Sequence, residues 1–137
     1  MIPLDREWHP APGASPTVLA RLQGASPVRL PPAYLNLLAF SNGGEGPLPV
    51  QPFNLCLYSA EEVIEIEHEG SYKDFFPGLL VIGGNGGGEA IALDVRRGEP
   101  WPVVFFDMTN IDLEESIRPL APDFDAFLER VGVEEDE

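Results

Sequence analysis

A chain of 137 residues, 44% of them hydrophobic, has the length of one domain and enough apolar content to bury its own core. Its net charge of −15 comes from 23 acids against eight bases. Direct binding to nucleic acid is therefore disfavoured, because phosphate neutralisation needs Lys and Arg, and anionic membrane surfaces are disfavoured for the same reason.

Pro3, Pro10, Pro12 and Pro16 make residues 1–16 an irregular lead-in, in which Trp8 is expected to seal the segment onto the domain. Ser15 before Pro16 is a helix start, Val18, Leu19 and Leu22 share one helical face, and Gly24 is expected to close that helix. A second helix opens on Pro31 and Pro32, carries Tyr34, Leu35, Leu37 and Leu38 on its apolar side, and ends at Asn42-Gly43-Gly44. Residues 45–52, with Pro47 and Pro49, read as a loop, and residues 53–58 as a strand. Ser59-Ala60-Glu61-Glu62 is a capping-box pattern that argues for a helix to about Glu67. The alternation of Ile64 and Ile66 admits a strand there instead.

Two apolar runs, 79–82 and 90–93, flank Gly83-Gly84-Asn85-Gly86-Gly87-Gly88 and predict a hairpin around Asn-Gly, with a tight turn of positive φ. Residues 103–106 predict a further strand. Phe124, Phe127, Leu128 and Val131 have helical spacing, and residues 133–137 form an acidic tail. The sum is a single α+β domain over 17–132, with a mostly antiparallel β-sheet flanked by helices. The N-terminus has neither a basic start nor an apolar core, and the chain has a single cysteine, which together read as a protein of the reducing cytoplasm.

The glycine cluster fails as a phosphate loop. The position that Gly-x-Gly-x-x-Gly would need is Glu89, and the sole lysine, Lys73, lies elsewhere. His9 and His68 are too far apart to suggest a metal site, and Cys56 between Leu55 and Leu57 reads as a small core hydrophobe. Asp107, Thr109 and Ile111 break a calcium-loop pattern, and no Gly-x-Ser-x-Gly elbow exists. The reading is of no catalytic residue, no cofactor and no metal. Trp101, between Pro100 and Pro102, is readable either as an exposed anchor or as a ring folded onto the core.

Three stretches in order resemble the SUKH superfamily, whose namesakes include a fungal cell-wall synthesis regulator. They are LPPAYLNLLAFSNGG (30–44), FFPGLLVIGGNGGGEAIALDVR (75–96) and APDFDAFLERV (121–131). The resemblance covers about residues 28–131; the Pro-rich start and acidic end depart from it. It implies an antiparallel α+β fold without catalytic residues, in which Leu30, Pro31, Tyr34, Asn42, Gly43, Gly78, Ile82, Gly83, Gly88, Glu89 and Asp94 are mainly structural. Bacterial members are mostly immunity proteins that neutralise polymorphic toxins, many of them acting on nucleic acid; fungal relatives are regulatory.

The charge sharpens that expectation. Residues 1–60 are neutral overall and residues 61–137 carry the whole −15, of which −11 remains without the last four residues. Such a half serves solubility, or it accelerates encounter with a basic partner. The expected partner is a basic toxin domain, occluded without chemistry. Candidate contacts are Glu61, Glu62 and Glu65 on the mid-chain helix, Glu89 and Asp94 beside the hairpin, and Trp101, Asp107 and Asp112. The alternatives are a regulatory module for an endogenous protein and an enzyme with an acidic pocket. The oligomeric state is open.

Overall fold

Helix α1 (Pro16–Ala25) begins where the sequence places it: Pro16 takes the first helical position and the Ser15 side chain accepts from the Val18 N–H. Gly24 does not close it. The stop falls at Ser26, whose N–H reaches back to the Leu22 and Gln23 carbonyls. The computed structural model describes residues 6–70, 78–96, 98–107, 109 and 116–133. Helix α2 (Pro32–Phe40) buries Tyr34, Leu37 and Leu38. Helix α3 (Ala60–Glu69) makes both bonds of the Ser59–Glu62 capping box and ends on Gly70 in the left-handed conformation, so the helical reading holds over the strand. A shorter α4 (Phe124–Leu128) starts at Asp123, whose carboxylate accepts from the Ala126 N–H.

The strands are β1 (His9–Pro10), β2 (Gly44–Pro47), β3 (Asn54–Leu57), β4 (Leu79–Gly84), β5 (Glu89–Asp94), β6 (Val103–Asp107) and β7 (Arg118–Ala121). They lie in chain order in one antiparallel sheet. This is the expected α+β class, with four helices among the described residues. Sequence reading missed β1, β2 and β7. Gly44 was expected at the end of α2 and residues 45–52, with Pro47 and Pro49, in a loop, yet Gly44–Pro47 form β2 with Pro47 as its last residue, where a missing donor costs little. Both edge strands, β1 and β7, are short and contain proline, which blunts them against pairing with another chain.

The β4–β5 connection is not the two-residue turn expected. Asn85 to Gly88 form a longer loop in which the Asn85 Oδ1 accepts from the Gly87 N–H (2.8 Å) and the Glu89 N–H (3.3 Å). A side chain thus performs the work that a primed backbone turn would otherwise do. The β2–β3 loop is closed by two bonds, Leu48 N–H to the Phe53 carbonyl (3.0 Å) and Phe53 N–H to the Val50 carbonyl (2.8 Å). That loop holds Phe53 at φ 68°. For an aromatic residue this conformation costs on the order of 1–3 kcal/mol.

The helices pack on one face of the sheet. Leu55, Leu57, Leu80, Ile82, Ile91, Leu93, Val103 and Phe105 point to them, joined by Leu22, Tyr34, Leu38, Val63, Phe124 and Phe127. The other face carries a smaller buried cluster, including Val81, Ala92, Val104 and Phe106, so central strands β4 and β5 are covered on both sides. Tyr34 stacks edge-on against Phe124 with ring centroids 5.4 Å apart. Its fully buried hydroxyl has no hydrogen-bond partner among the described residues, and burial pushes its ionisation far above the ordinary phenol range. A buried hydroxyl without a partner carries a desolvation cost that phenylalanine avoids. Tyr34→Phe is therefore expected to raise stability by about 1 kcal/mol, seen as a higher urea midpoint at unchanged slope.

The N-terminal segment is fastened at several points. The Glu7 N–H donates to the Gly132 carbonyl (2.9 Å), Ala14 N–H to Leu38 (2.9 Å) and Asn42 N–H to Pro12 (3.0 Å). Arg6 donates to the carbonyl of Leu128 at the end of α4 and to that of Val131 beyond it, placing a cation at a helix C-terminus. The Trp8 ring lies over β2 because Gly46 is there: a Cβ would come 2.5 Å from the Glu7 carbonyl oxygen and 2.6 Å from the ring.

Candidate functional site

The acidic candidates do not form one patch. Glu61 and Glu62 sit in the first turn of α3 and are occupied there. The Glu62 carboxylate accepts from the Ser59 N–H (3.0 Å), and Glu61 accepts from the Asn42 amide (2.7 Å), whose Oδ1 in turn accepts from the Ala60 N–H (2.7 Å). The Asn42 bond and backbone donation hold the Glu61 carboxyl below its usual range. Glu65 is exposed one turn further along.

Glu89 and Asp107 lie opposite each other across β5 and β6, at the glycine-loop end of the sheet. Like charges so placed repel, and each carboxylate has a local donor. Asn85 donates to Glu89 (3.2 Å), and the Thr109 N–H (2.9 Å) and hydroxyl (2.7 Å) donate to Asp107. These Thr109 bonds favour the carboxylate and hold the Asp107 carboxyl below its usual range. Asp94 is at the far end of β5, held in a bidentate pair by Arg96 at 2.9 and 2.8 Å. Asp112 lies outside the described residues.

Cys56 does not face the core. Leu55 and Leu57 do, so strand alternation turns the thiol to the other face, where it donates to the Glu45 carboxylate at 3.0 Å. Burial first, then the Glu45 bond and charge, push the thiol up to about 11, against an ordinary 9.0. Two units correspond to a thiolate population about a hundredfold smaller. Alkylation by iodoacetamide at neutral pH is expected to be about tenfold slower than for a free thiol, because the more basic thiolate is also the more nucleophilic, with an acceleration in Glu45→Gln.

Trp101 is where the chain builds a recess. The loop before β6 folds the half-buried indole back onto the core, and its Nε1–H donates to the Arg29 carbonyl (2.9 Å) ahead of α2. The ring thus folds back onto the core, and its free face lines an open cleft of about 340 Å³. Pro31, Pro100 and Phe124 complete the apolar walls. Among the described residues, the polar lining is Glu99, Asp123 and Asp125 with Arg29. Glu99 and Asp125 are exposed, whereas Asp123 also caps α4.

An aromatic surface beneath carboxylates suits a guanidinium or ammonium group, which gains ion pairs at the rim and a cation–π contact below. Asp94 belongs to the same end of the sheet, since its N–H donates to the Pro102 carbonyl (2.8 Å). Of the sequence-selected residues, Asp94 therefore lies at the Trp101 end of the sheet, Glu89 and Asp107 meet at the other end, and Glu61, Glu62 and Glu65 stand apart on α3. Glu99, Asp123 and Asp125 were missed. Asp123 was visible as a cap before a predicted helix, but its meeting with Glu99 and Trp101 depends on tertiary packing. Among the described residues, no three His, Cys, Asp or Glu side chains are grouped to hold a metal ion, and no helix is long and apolar enough to cross a membrane.

An antiparallel α+β module with an open cleft at one end of its sheet is the class these features define. Over residues 13–130 the chain matches the SMI1 / KNR4 family (SUKH-1), and it belongs to that family. No curated protein matches the sequence. The family consists in general of non-catalytic immunity and regulatory modules.

Proposed function

We propose that this protein is an immunity-type binding module that neutralises a basic toxin domain by occluding it, with the Trp101 cleft as the central contact. The observation that carries this reading is the cleft itself, an indole between carboxylates in a family of binding modules. The charge supports it further: a net −15 steers basic partners to the surface at long range, and the cleft supplies a short-range anchor for one Lys or Arg side chain. Toxins acting on nucleic acid carry basic grooves, and such a groove is complementary to this surface. Glu65 and the sheet-end carboxylates Glu89 and Asp107 would contribute to steering rather than to the anchor. The action needs no bond-making step and no cofactor, and it takes place in the cytoplasm.

Affinity capture from the native host, with the wild-type chain and an Asp125→Lys variant side by side, tests the proposal. The expected result is a basic protein retained by the wild type and depleted on the variant, encoded beside this chain. Capture of a neutral or acidic protein, equally by both baits, would contradict it; a basic endogenous protein encoded elsewhere would favour the regulatory role.

A further inference from the structure

Trp101 offers a ligand its π face and nothing else. Its one side-chain donor, the Nε1–H, is spent on the Arg29 carbonyl (2.9 Å), a bond that also fixes the ring's orientation. Pro31, Pro32 and Pro100, which have no backbone N–H, line the cleft with it, together with the buried Leu30 and Phe124. The carboxylates keep to the outside. Glu99 and Asp125 are exposed, and the half-buried Asp123 already holds the Ala126 N–H (2.8 Å). A cation entering this cleft of about 340 Å³ therefore meets apolar walls, with side-chain acceptors toward solvent.

That division separates the two cations that protein side chains supply. Lysine and arginine carry the same charge, so the field of the whole chain, and Arg29 in the lining, act on them alike. Shape and hydration decide between them. An ammonium is a compact, strongly hydrated point charge, and on entering it gives up water that apolar walls do not replace. A guanidinium is flat and more weakly hydrated, and its donors lie in its own plane. Stacked on the indole it covers a face that carries no donor. Its N–H groups still point outward, where a rim carboxylate takes two of them at once.

We infer that the Trp101 cleft selects arginine over lysine as the side chain that anchors the partner. The inference rests on the reading of the cleft as a cation site and adds the chemical identity of its occupant. At long range a lysine is drawn to this surface as strongly as an arginine; at short range it is held less well.

The test titrates two probes of equal charge, Nα-acetyl-arginine methylamide and Nα-acetyl-lysine methylamide, into the ¹⁵N-labelled full chain. The readout is the Trp101 indole N–H resonance, assigned by its loss in Trp101→Phe. The Trp8 indole, bonded to Ser41, is the internal control. The expected result is a saturable shift of Trp101 and not of Trp8, with a dissociation constant about fivefold lower, or less still, for the arginine probe. Equal affinities would overturn the selection of arginine while leaving the cleft a site for either cation. A Trp101 resonance unmoved by both probes would overturn the selection and the cation-site reading together. So would equal shifts of Trp8 and Trp101, which report added salt rather than occupancy.

Discussion

Ser41→Ala is expected to destabilise the protein by about 3 kcal/mol, lowering its melting temperature by roughly 10 °C in calorimetry. Ser41 is fully buried just after α2, and its hydroxyl joins three segments. It donates to the Gly43 carbonyl (2.6 Å) and accepts from the Trp8 indole N–H (3.1 Å) and the Ala11 N–H (3.1 Å). Alanine would remove all three bonds and strand two donors and an acceptor, each costing about 1 kcal/mol or more when left in a dry interior. A Trp8→Phe change removes one of the stranded donors in advance. The double variant is therefore expected to be less destabilised than the sum of the single ones, by about 1 kcal/mol. Strict additivity would show that the indole does not depend on Ser41.

For the cleft, Trp101→Ala is expected to weaken partner binding by about 2 kcal/mol or more, roughly thirtyfold, measured by calorimetry with the captured partner. Buried aromatic anchors dominate such interfaces because they exclude water while presenting a π face to the opposing cation. Trp101 also packs on the core and bonds the Arg29 carbonyl, so this variant loses stability as well. Two companions separate the effects. Trp101→Phe keeps a ring while removing the Nε1–H, and is expected to retain most of the affinity. Asp125→Lys leaves the exposed helix start folded, loses the Asp125 anion near the α4 N-terminus, and is expected to weaken binding by tenfold or more. If Trp101→Ala bound normally while Asp125→Lys did not, the contact would be electrostatic without an aromatic anchor.

Local rules carried the reading of the sequence where local chemistry decides the outcome. Ser15 with Pro16, the Ser59–Glu62 box and the helical spacing around Phe124 and Phe127 were readable because each cap closes within four residues. The central hairpin was readable from its apolar runs and the positive φ of its turn falls at Gly86, although the turn is longer than expected because the Asn85 side chain also accepts within it. Long-range partners decided the rest. β2 contains Gly44, Gly46 and Pro47, residues of poor strand preference, and is a strand because β3 pairs along it and Trp8 covers it. Asn42 reads as the end of one helix, yet its side chain caps the start of the next, 18 residues on.

The same division governs the site. Trp101 stood out between prolines, and its neighbours in space come from the connections before α2, β6 and α4. Selecting acids by position gave Glu62, Asp107 and Asp94, all of which the fold engages in caps, turns or an ion pair. The rim acids Glu99 and Asp125 are plain surface residues in sequence and gain their meaning only from what the packing sets beside them.

The central claim is that an acidic surface brings a basic partner to the Trp101 cleft. Its most direct test is the association rate of the purified pair, measured by stopped-flow fluorescence from 20 to about 300 mM salt, a span over which screening shortens the reach of surface charge severalfold. The account expects the rate to fall by about tenfold or more across that range, with the dissociation rate changing far less, as for electrostatically steered pairs. An association rate independent of salt would contradict it.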